Sequence, residues 1–260
     1  MPELFIDTHA HLFLEDFDDD REEVINRAVE NGVGKILLPN IDSQSIPKLN
    51  TVSGLYPGIC HPMMGLHPTS VKANYKEELS VIESELKKGG YVGVGETGID
   101  LYWDKSWLPE QEESFRLQIE LAIHFHLPLV IHARESFREI IRILEDYSSR
   151  GARGVFHAFT GDIEIARSVI GMGFFIGIGG ILTYKKSDLP LVVKEMPLEC
   201  ILLETDSPYL PPVPYRGKRN ESSFIPVIAQ YIQQLKGISL EKVAQITTRN
   251  ALQLFQLNAT

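Results

Sequence analysis

Leu4-Phe5-Ile6-Asp7-Thr8-His9-Ala10-His11 is a short apolar run that finishes on two histidines. The same design recurs along the chain. Tyr91-Val92-Gly93-Val94-Gly95 leads into Glu96, Leu129-Val130-Ile131 into His132, Gly154-Val155-Phe156 into His157, and Ile201-Leu202-Leu203-Glu204-Thr205 into Asp206. Folding alone gives no reason for nonpolar strands to end on His, Glu or Asp five times over. A parallel barrel does, if several strand ends deliver ligands to one metal centre at its C-terminal face.

The rest of the chain fits that frame. Apolar runs at residues 4–7, 35–39, 59–65, 91–95, 129–131, 154–156, 174–178 and 201–204 make eight expected strands. Amphipathic segments lie between most of them. Residues 21–31 place Val24, Ile25, Ala28 and Val29 on one face, residues 111–125 place Phe115, Ile119, Ala122 and Ile123 at helical spacing, and residues 137–147 do so with Ile140, Ile141 and Leu144. A tail helix over 239–254 is expected, with Ser239 as N-cap and Val243, Ile246, Ala251 and Leu254 facing inward. Near-continuous apolar strands alternating with helices imply an α/β fold with parallel pairing and both faces covered. Eight units favour a closed (β/α)8 TIM-like barrel over an open sheet, with residues 1–260 as a single domain. A dinucleotide fingerprint is absent, because Gly177-Ile178-Gly179-Gly180 does not match GxGxxG.

Composition narrows the function. No apolar run approaches the roughly 20 residues of a membrane span, so no membrane association is expected. The early acids Glu3 and Asp7 do not suit a secretory signal, and Cys60 and Cys200 stand far apart without a CxxC partner. Both features point to the cytoplasm. The net charge of −10 argues against a broad basic surface for long duplex DNA. It leaves room for a phosphate-bearing substrate held by metals and a local basic cluster. No segment calls for an obligate protein partner.

His9 and His11 share a face if the strand persists, so both imidazoles reach one ion. His124 and His126 have the same spacing at a helix end, where side chains two apart diverge by roughly 200° and cannot converge. The six candidates divide into His9, His11, Glu96 and Asp206 around one divalent ion, and Glu96, His132 and His157 around a second. No lysine ends a strand as a carbamate bridge: Lys35 begins one and Lys105 lies in a loop. Glu96 is therefore the expected bridge. The mixed nitrogen and oxygen donors do not choose among Mg²⁺, Mn²⁺ and Zn²⁺. Asp206 is the expected general base toward a metal-activated water, with Glu96 the other catalytic carboxylate. Arg216-Gly217-Lys218-Arg219-Asn220 puts three cations just beyond Asp206, suited to phosphate oxygens. His67, after the third strand, and Arg134, two residues beyond His132, are expected to face the same cavity and meet substrate. Trp103 and Trp107 either stack on a base or cover the mouth.

Taken together, these segments resemble the TatD family of metal-dependent deoxyribonucleases in the amidohydrolase superfamily. The resemblance is carried by Ile6-Asp7-Thr8-His9-Ala10-His11, Gly65-Leu66-His67-Pro68, Gly95-Glu96-Thr97-Gly98-Ile99-Asp100, Ile131-His132-Ala133-Arg134, Phe156-His157-Ala158-Phe159, Glu204-Thr205-Asp206-Ser207-Pro208 and the Arg216–Asn220 run. It implies a hydrolase of DNA phosphodiester bonds, with metal held by His9, His11, Glu96, His132, His157 and Asp206; a barrel mouth admits a strand more readily than a duplex, so action from a single-stranded end is expected. Ala158, Thr160, Thr97 and Ser222 depart from the family's usual residues, but none is a ligand position. Two other functions use the same scaffold: hydrolysis of small amides, esters or aminoacyl groups, and non-catalytic binding. The basic loop favours phosphate, and the complete ligand set disfavours mere binding.

Overall fold

The computed structural model describes residues 5–258, so Leu4 of the first expected strand lies outside the described residues. The eight strands are β1 (Phe5–Asp7), β2 (Val33–Leu38), β3 (Cys60–Pro62), β4 (Val94–Asp100), β5 (Leu129–Arg134), β6 (Gly154–Phe156), β7 (Phe175–Ile178) and β8 (Ile201–Leu203). Every paired neighbour is parallel, in ladders ordered β1-β2-β3 and β4-β5-β6-β7-β8. Two seams close the ladders into a ring. Val92 N donates to Pro62 O and Gly95 N to Met64 O, at 3.0 and 3.1 Å, between β3 and β4. Thr8 N donates to Leu203 O at 3.0 Å, and Ala10 bridges Ser207 in parallel, between β8 and β1. The result is a (β/α)8 barrel.

Helices α1 (Arg21–Glu30), α2 (Ile46–Leu55), α3 (Tyr75–Lys88), α4 (Leu108–His124), α5 (Phe137–Glu145), α6 (Ile163–Gly171), α7 (Leu189–Glu195) and α8 (Ile225–Lys236) follow the strands in turn. In α5 the apolar stripe Ile140, Ile143 and Leu144 is buried, as its spacing requires. The inside of the barrel is a packed layer, with Ile6, Leu37, Met63, Val130, Val155 and Leu202 meeting across it. Ala251, Leu254 and Phe255 of the closing helix α9 (Leu240–Phe255) join that layer and stopper the end opposite the chemistry. The Ser239 hydroxyl caps α9 by accepting from Lys242 N at 3.2 Å.

One strand differs from expectation in a way that matters. β4 does not stop at Gly95 but runs on to Asp100, after a register shift between Val94 and Thr97. Glu96 therefore lies within a strand, and β4 pairs with β5 through Gly98 opposite His132 and Asp100 opposite Arg134. Glycines in this stretch hid the strand, since Gly95 and Gly98 read as turn residues. They are there for close approach. A Cβ on Gly98, whose φ is +135°, would lie 2.1 Å from the His132 carbonyl oxygen.

Gly98→Ala is expected to lower stability by more than about 1 kcal/mol, because neither its φ nor its contact admits a methyl group. Gly171→Ala, where an added Cβ meets nothing within 4 Å, is expected to be neutral or stabilising by up to about 1 kcal/mol. Thermal melts of the two variants check this; a Gly98→Ala melt matching wild type would contradict the packing described.

Candidate metal centre

The strand ends converge on the carboxylate of Glu96, which is buried. Its two oxygens face different neighbours. Oε2 lies 3.1 Å from His9 Nε2 and 3.5 Å from His11 Nε2. Oε1 lies 2.6 Å from His157 Nε2, 2.8 Å from His132 Nδ1 and 3.2 Å from His67 Nε2. Asp206 Oδ1 completes the first group, 3.5 Å from His11 Nε2 and 3.7 Å from His9 Nε2. His9 and His157 stack face to face across the centre, with centroids 3.8 Å apart. All six sequence-derived ligand candidates are thus brought together. Glu96 Oε2 faces His9 and His11, and Oε1 faces His132, His157 and also His67, while one donor triad joins His9 and His157 through Glu96.

Backbone pairing explains the convergence. Regular strand ends at Asp7, but Asp206 N donates to His9 O and His11 N to Ser207 O, each at 2.8 Å. These bonds zip the His9–His11 segment to the Asp206 turn. Asp206 itself has φ +58°, a left-handed conformation that Asp tolerates better than most residues. Beneath it, the buried carboxylate of Asp7 accepts from Thr205 Oγ1 at 2.6 Å, Thr205 N at 3.0 Å and His9 N at 3.2 Å. Asp7 therefore ties the first and last strands together under the site.

The donor set fits divalent cations. His9 Nε2 and His11 Nε2 face each other at 3.2 Å, and His132 Nδ1 and His157 Nε2 at 3.3 Å. Such pairs are repulsive if both nitrogens are protonated, and natural if both lone pairs point at cations. Separations near 3–3.5 Å are those of donors sharing an ion at about 2.0–2.2 Å. Three triads have donor atoms within 4.8 Å of one another: His9, His11, Asp206; His9, Glu96, His157; and His67, Glu96, His132.

Tautomers separate His132 from His67. His132 Nε2 lies 2.9 Å from Asp100 Oδ2 and donates to it, which leaves the Nδ1 lone pair for a metal. At His67 the arrangement is reversed. Thr69 N donates to its Nδ1 at 3.1 Å, so the proton of neutral His67 sits on Nε2, aimed at Glu96. Nε2 of His67 is then a donor toward Glu96 and offers no lone pair to a metal in this tautomer. Asp100 escaped sequence reading because the strand was ended too early. Once β4 continues, Glu96 and Asp100 are four residues apart on one face.

Burial and charge shape the protonation states. Burial would raise the Glu96 carboxyl, but the surrounding His157, His67 and His9 hold it well below the usual carboxylate range. Burial and His157 push His9 down to about 4. His157 rises to about 9, since the charge and hydrogen bond of Glu96 outweigh its burial. Glu204, which sequence reading also passed over, is pushed up to about 8 by burial. It accepts from Ala158 N, while its Oε1 lies 3.9 Å from His157 Nδ1.

A cavity of about 700 Å³ opens over the centre, lined by His11, His67, Glu96, His132, His157 and Asp206 among others. Trp103 and Arg134 stand in its wall. The basic loop is placed otherwise than the sequence suggested. Arg216, Lys218 and Arg219 are not in the lining. Arg219 is engaged with Asp20 Oδ2 at 2.6 Å and with the Asp16 carbonyl, its guanidinium 4.5 Å from the Phe17 ring centroid. Arg216 lies over the Tyr184 ring and Lys218 over Tyr215. Asn220 latches the loop to the site by donating to Thr205 O and Tyr209 O at 2.7 and 2.6 Å. Trp107 sits under Lys72, away from the cavity lining. His124 and His126 are both exposed, away from the metal candidates.

Known proteins share this fold and sequence pattern. The TatD related DNase family matches residues 6–256. This chain belongs to the TatD family. A Bacillus subtilis (strain 168) protein, the uncharacterized metal-dependent hydrolase YabD, is 39% identical over 256 residues, covering 98% of this chain and all of that one. The human deoxyribonuclease TATDN3 is 33% identical over 265 residues, covering 96% of this chain and 94% of its own. The crystal structure of YjjV, a TatD homolog from Escherichia coli K12, matches with a TM-score of 0.93 at 28% identity, over 99% of this chain and 100% of that one.

A pH dependence of stability follows for the metal-free TatD chain. Between pH 4.5 and about 8 the folded state keeps a proton on Glu204 that the unfolded state has lost. This contribution is full below pH 4.5 and disappears as pH rises through 8. Glu204→Gln should therefore lose less stability than wild type between pH 5 and 9, measured by urea unfolding in chelator. Equal losses would mean that Glu204 is ionised in the folded protein.

Proposed function

We propose that this TatD family member, a metal-dependent hydrolase, cleaves phosphodiester bonds of DNA and takes a single-stranded end into the cavity above Glu96. The carrying observation is the split carboxylate: Glu96 Oε2 serves the His9, His11 and Asp206 group, and Oε1 the His132 and His157 group. His9, His11, Asp206 and Glu96 would hold one divalent ion, and Glu96, His132 and His157 a second. Two such ions would supply charge stabilisation to the attacking and leaving oxygens of a displacement at phosphorus, and would ease ionisation of the attacking water.

The side chains divide the remaining work. Asp206 is kept ionised, because hydrogen bonding from His11 and the charges of His9 and His157 outweigh its burial. It lines the cavity and accepts the proton from the attacking water. Contact with the substrate phosphate is assigned to Arg134 and His67, both in the cavity lining. Arg216 and Lys218, outside the cavity lining, would meet flanking phosphates, while Arg219 stays with Asp20. A mouth shaped by one cavity in a chain of net charge −10 suits one strand and not a wide duplex footprint. The deoxyribonuclease name of the human relative supports the same substrate class.

Asp206→Asn is expected to lower kcat on a 5′-labelled single-stranded oligonucleotide by about 10²–10⁴-fold with saturating Mg²⁺ or Mn²⁺, while circular dichroism stays that of wild type. Near-wild-type turnover would remove Asp206 as the base. A wild-type protein that leaves oligonucleotides intact and hydrolyses a small uncharged ester would favour the acyl-transfer alternative.

A further inference from the structure

Tyr102 and Trp103 lie just beyond β4, after Leu101, and are open for large rings, 51% and 69% exposed. Their setting is nevertheless fixed. Tyr102 N and Trp103 N donate to Asp100 Oδ1 at 2.9 and 3.1 Å, and Leu101 N donates to Arg134 O at 3.0 Å. The two rings meet edge to face at 5.0 Å. The Arg134 guanidinium lies 3.8 Å from the Tyr102 centroid and 5.5 Å from that of Trp103. Two exposed aromatic rings held in place by backbone bonds and a stacked cation have already lost much of the freedom that ligand binding would otherwise cost.

Their location ties them to the chemistry. Trp103 and Arg134 line the same cavity as Glu96 and His132. The carboxylate of Asp100 reaches both: Oδ1 holds the aromatic loop, and Oδ2 holds the His132 ring at 2.9 Å. The distance from ring loop to metal centre is thus set through one side chain. Resting on the phosphodiesterase reading above, we propose that Trp103, supported by Tyr102 and Arg134, stacks the nucleobase of a nucleotide flanking the scissile phosphate. A flat π-surface next to a guanidinium matches a base next to its phosphate, and stacking of this kind tolerates any base. It also gives an acidic chain a grip on single strands that does not depend on a broad basic surface. Asp100 is a positioning residue for this subsite.

The test pairs a change in the protein with a change in the substrate. An abasic residue is scanned through the positions around the cleaved bond of a single-stranded oligonucleotide. With wild type, one position should lower kcat/KM by about 5–100-fold on loss of its base. Trp103→Ala should lose a similar factor on the intact strand and little more on the abasic one, and Trp103→Phe should recover most of the loss. Binding gives an independent readout. In Trp107→Phe, Trp103 is the only remaining indole, and its fluorescence should be quenched by the intact strand far more than by the abasic one. Equal loss on both strands in Trp103→Ala, or equal quenching by both, would overturn the subsite. Failure of wild type to cut any oligonucleotide would overturn the phosphodiesterase reading, and the quenching comparison would still decide whether Trp103 stacks a base.

Discussion

The buried carboxylate of Glu96 is the constraint around which the functional end of the barrel is arranged. An isolated ionised carboxylate in such a position would cost several kcal/mol in lost hydration. Here it is surrounded by imidazoles from four other chain segments, at 2.6–3.5 Å. The neighbours gain from the carboxylate in turn, since close-set nitrogens such as His9 Nε2 and His11 Nε2 repel when both carry protons, and negative charge between them offsets that repulsion. A site of this kind exists only when the whole barrel has closed.

A second ring of groups fixes the first. Asp7 joins β1 to the segment after β8 through Thr205, Asp100 holds His132, and Asn220 ties the basic loop to Thr205 and Tyr209. Each is a buried polar group; the Asp7 bond to Thr205 spans nearly the whole chain, and the Asn220 bonds close a local loop. Metal sites depend on such outer partners to set tautomer and ring orientation. The same groups tie the loops above the strands to the frame below.

Much of this was legible in the sequence, and the reasons are physical. A nonpolar run is a reliable mark of a buried parallel strand, and a His, Glu or Asp at its end is costly enough to signal function. That logic picked out Glu96 and the five other side chains that the structure gathers near it, and set aside His124 and His126, which the structure leaves exposed. It failed where local chemistry was ambiguous. Gly95 and Gly98 look like turn residues, yet they lie in β4, at positions where a Cβ would strike Val130 or His132; the missed extension concealed Asp100. Glu204 was read as part of an apolar strand, although its burial beside His157 is a tertiary fact. Cations in a loop suggest phosphate contact, but nothing in the Arg216–Asn220 run reveals that Arg219 is spoken for by Asp20, almost two hundred residues earlier.

The central claim is that one carboxylate joins two cation sites. Electron paramagnetic resonance of the Mn²⁺-loaded protein addresses it most directly, combined with elemental analysis of the same sample. Two ions sharing Glu96 would sit about 3.5–4 Å apart and should give the multiline spectrum of an exchange-coupled pair, at two manganese ions per chain. A single bound ion, or two ions with uncoupled six-line spectra, would contradict a bridging Glu96.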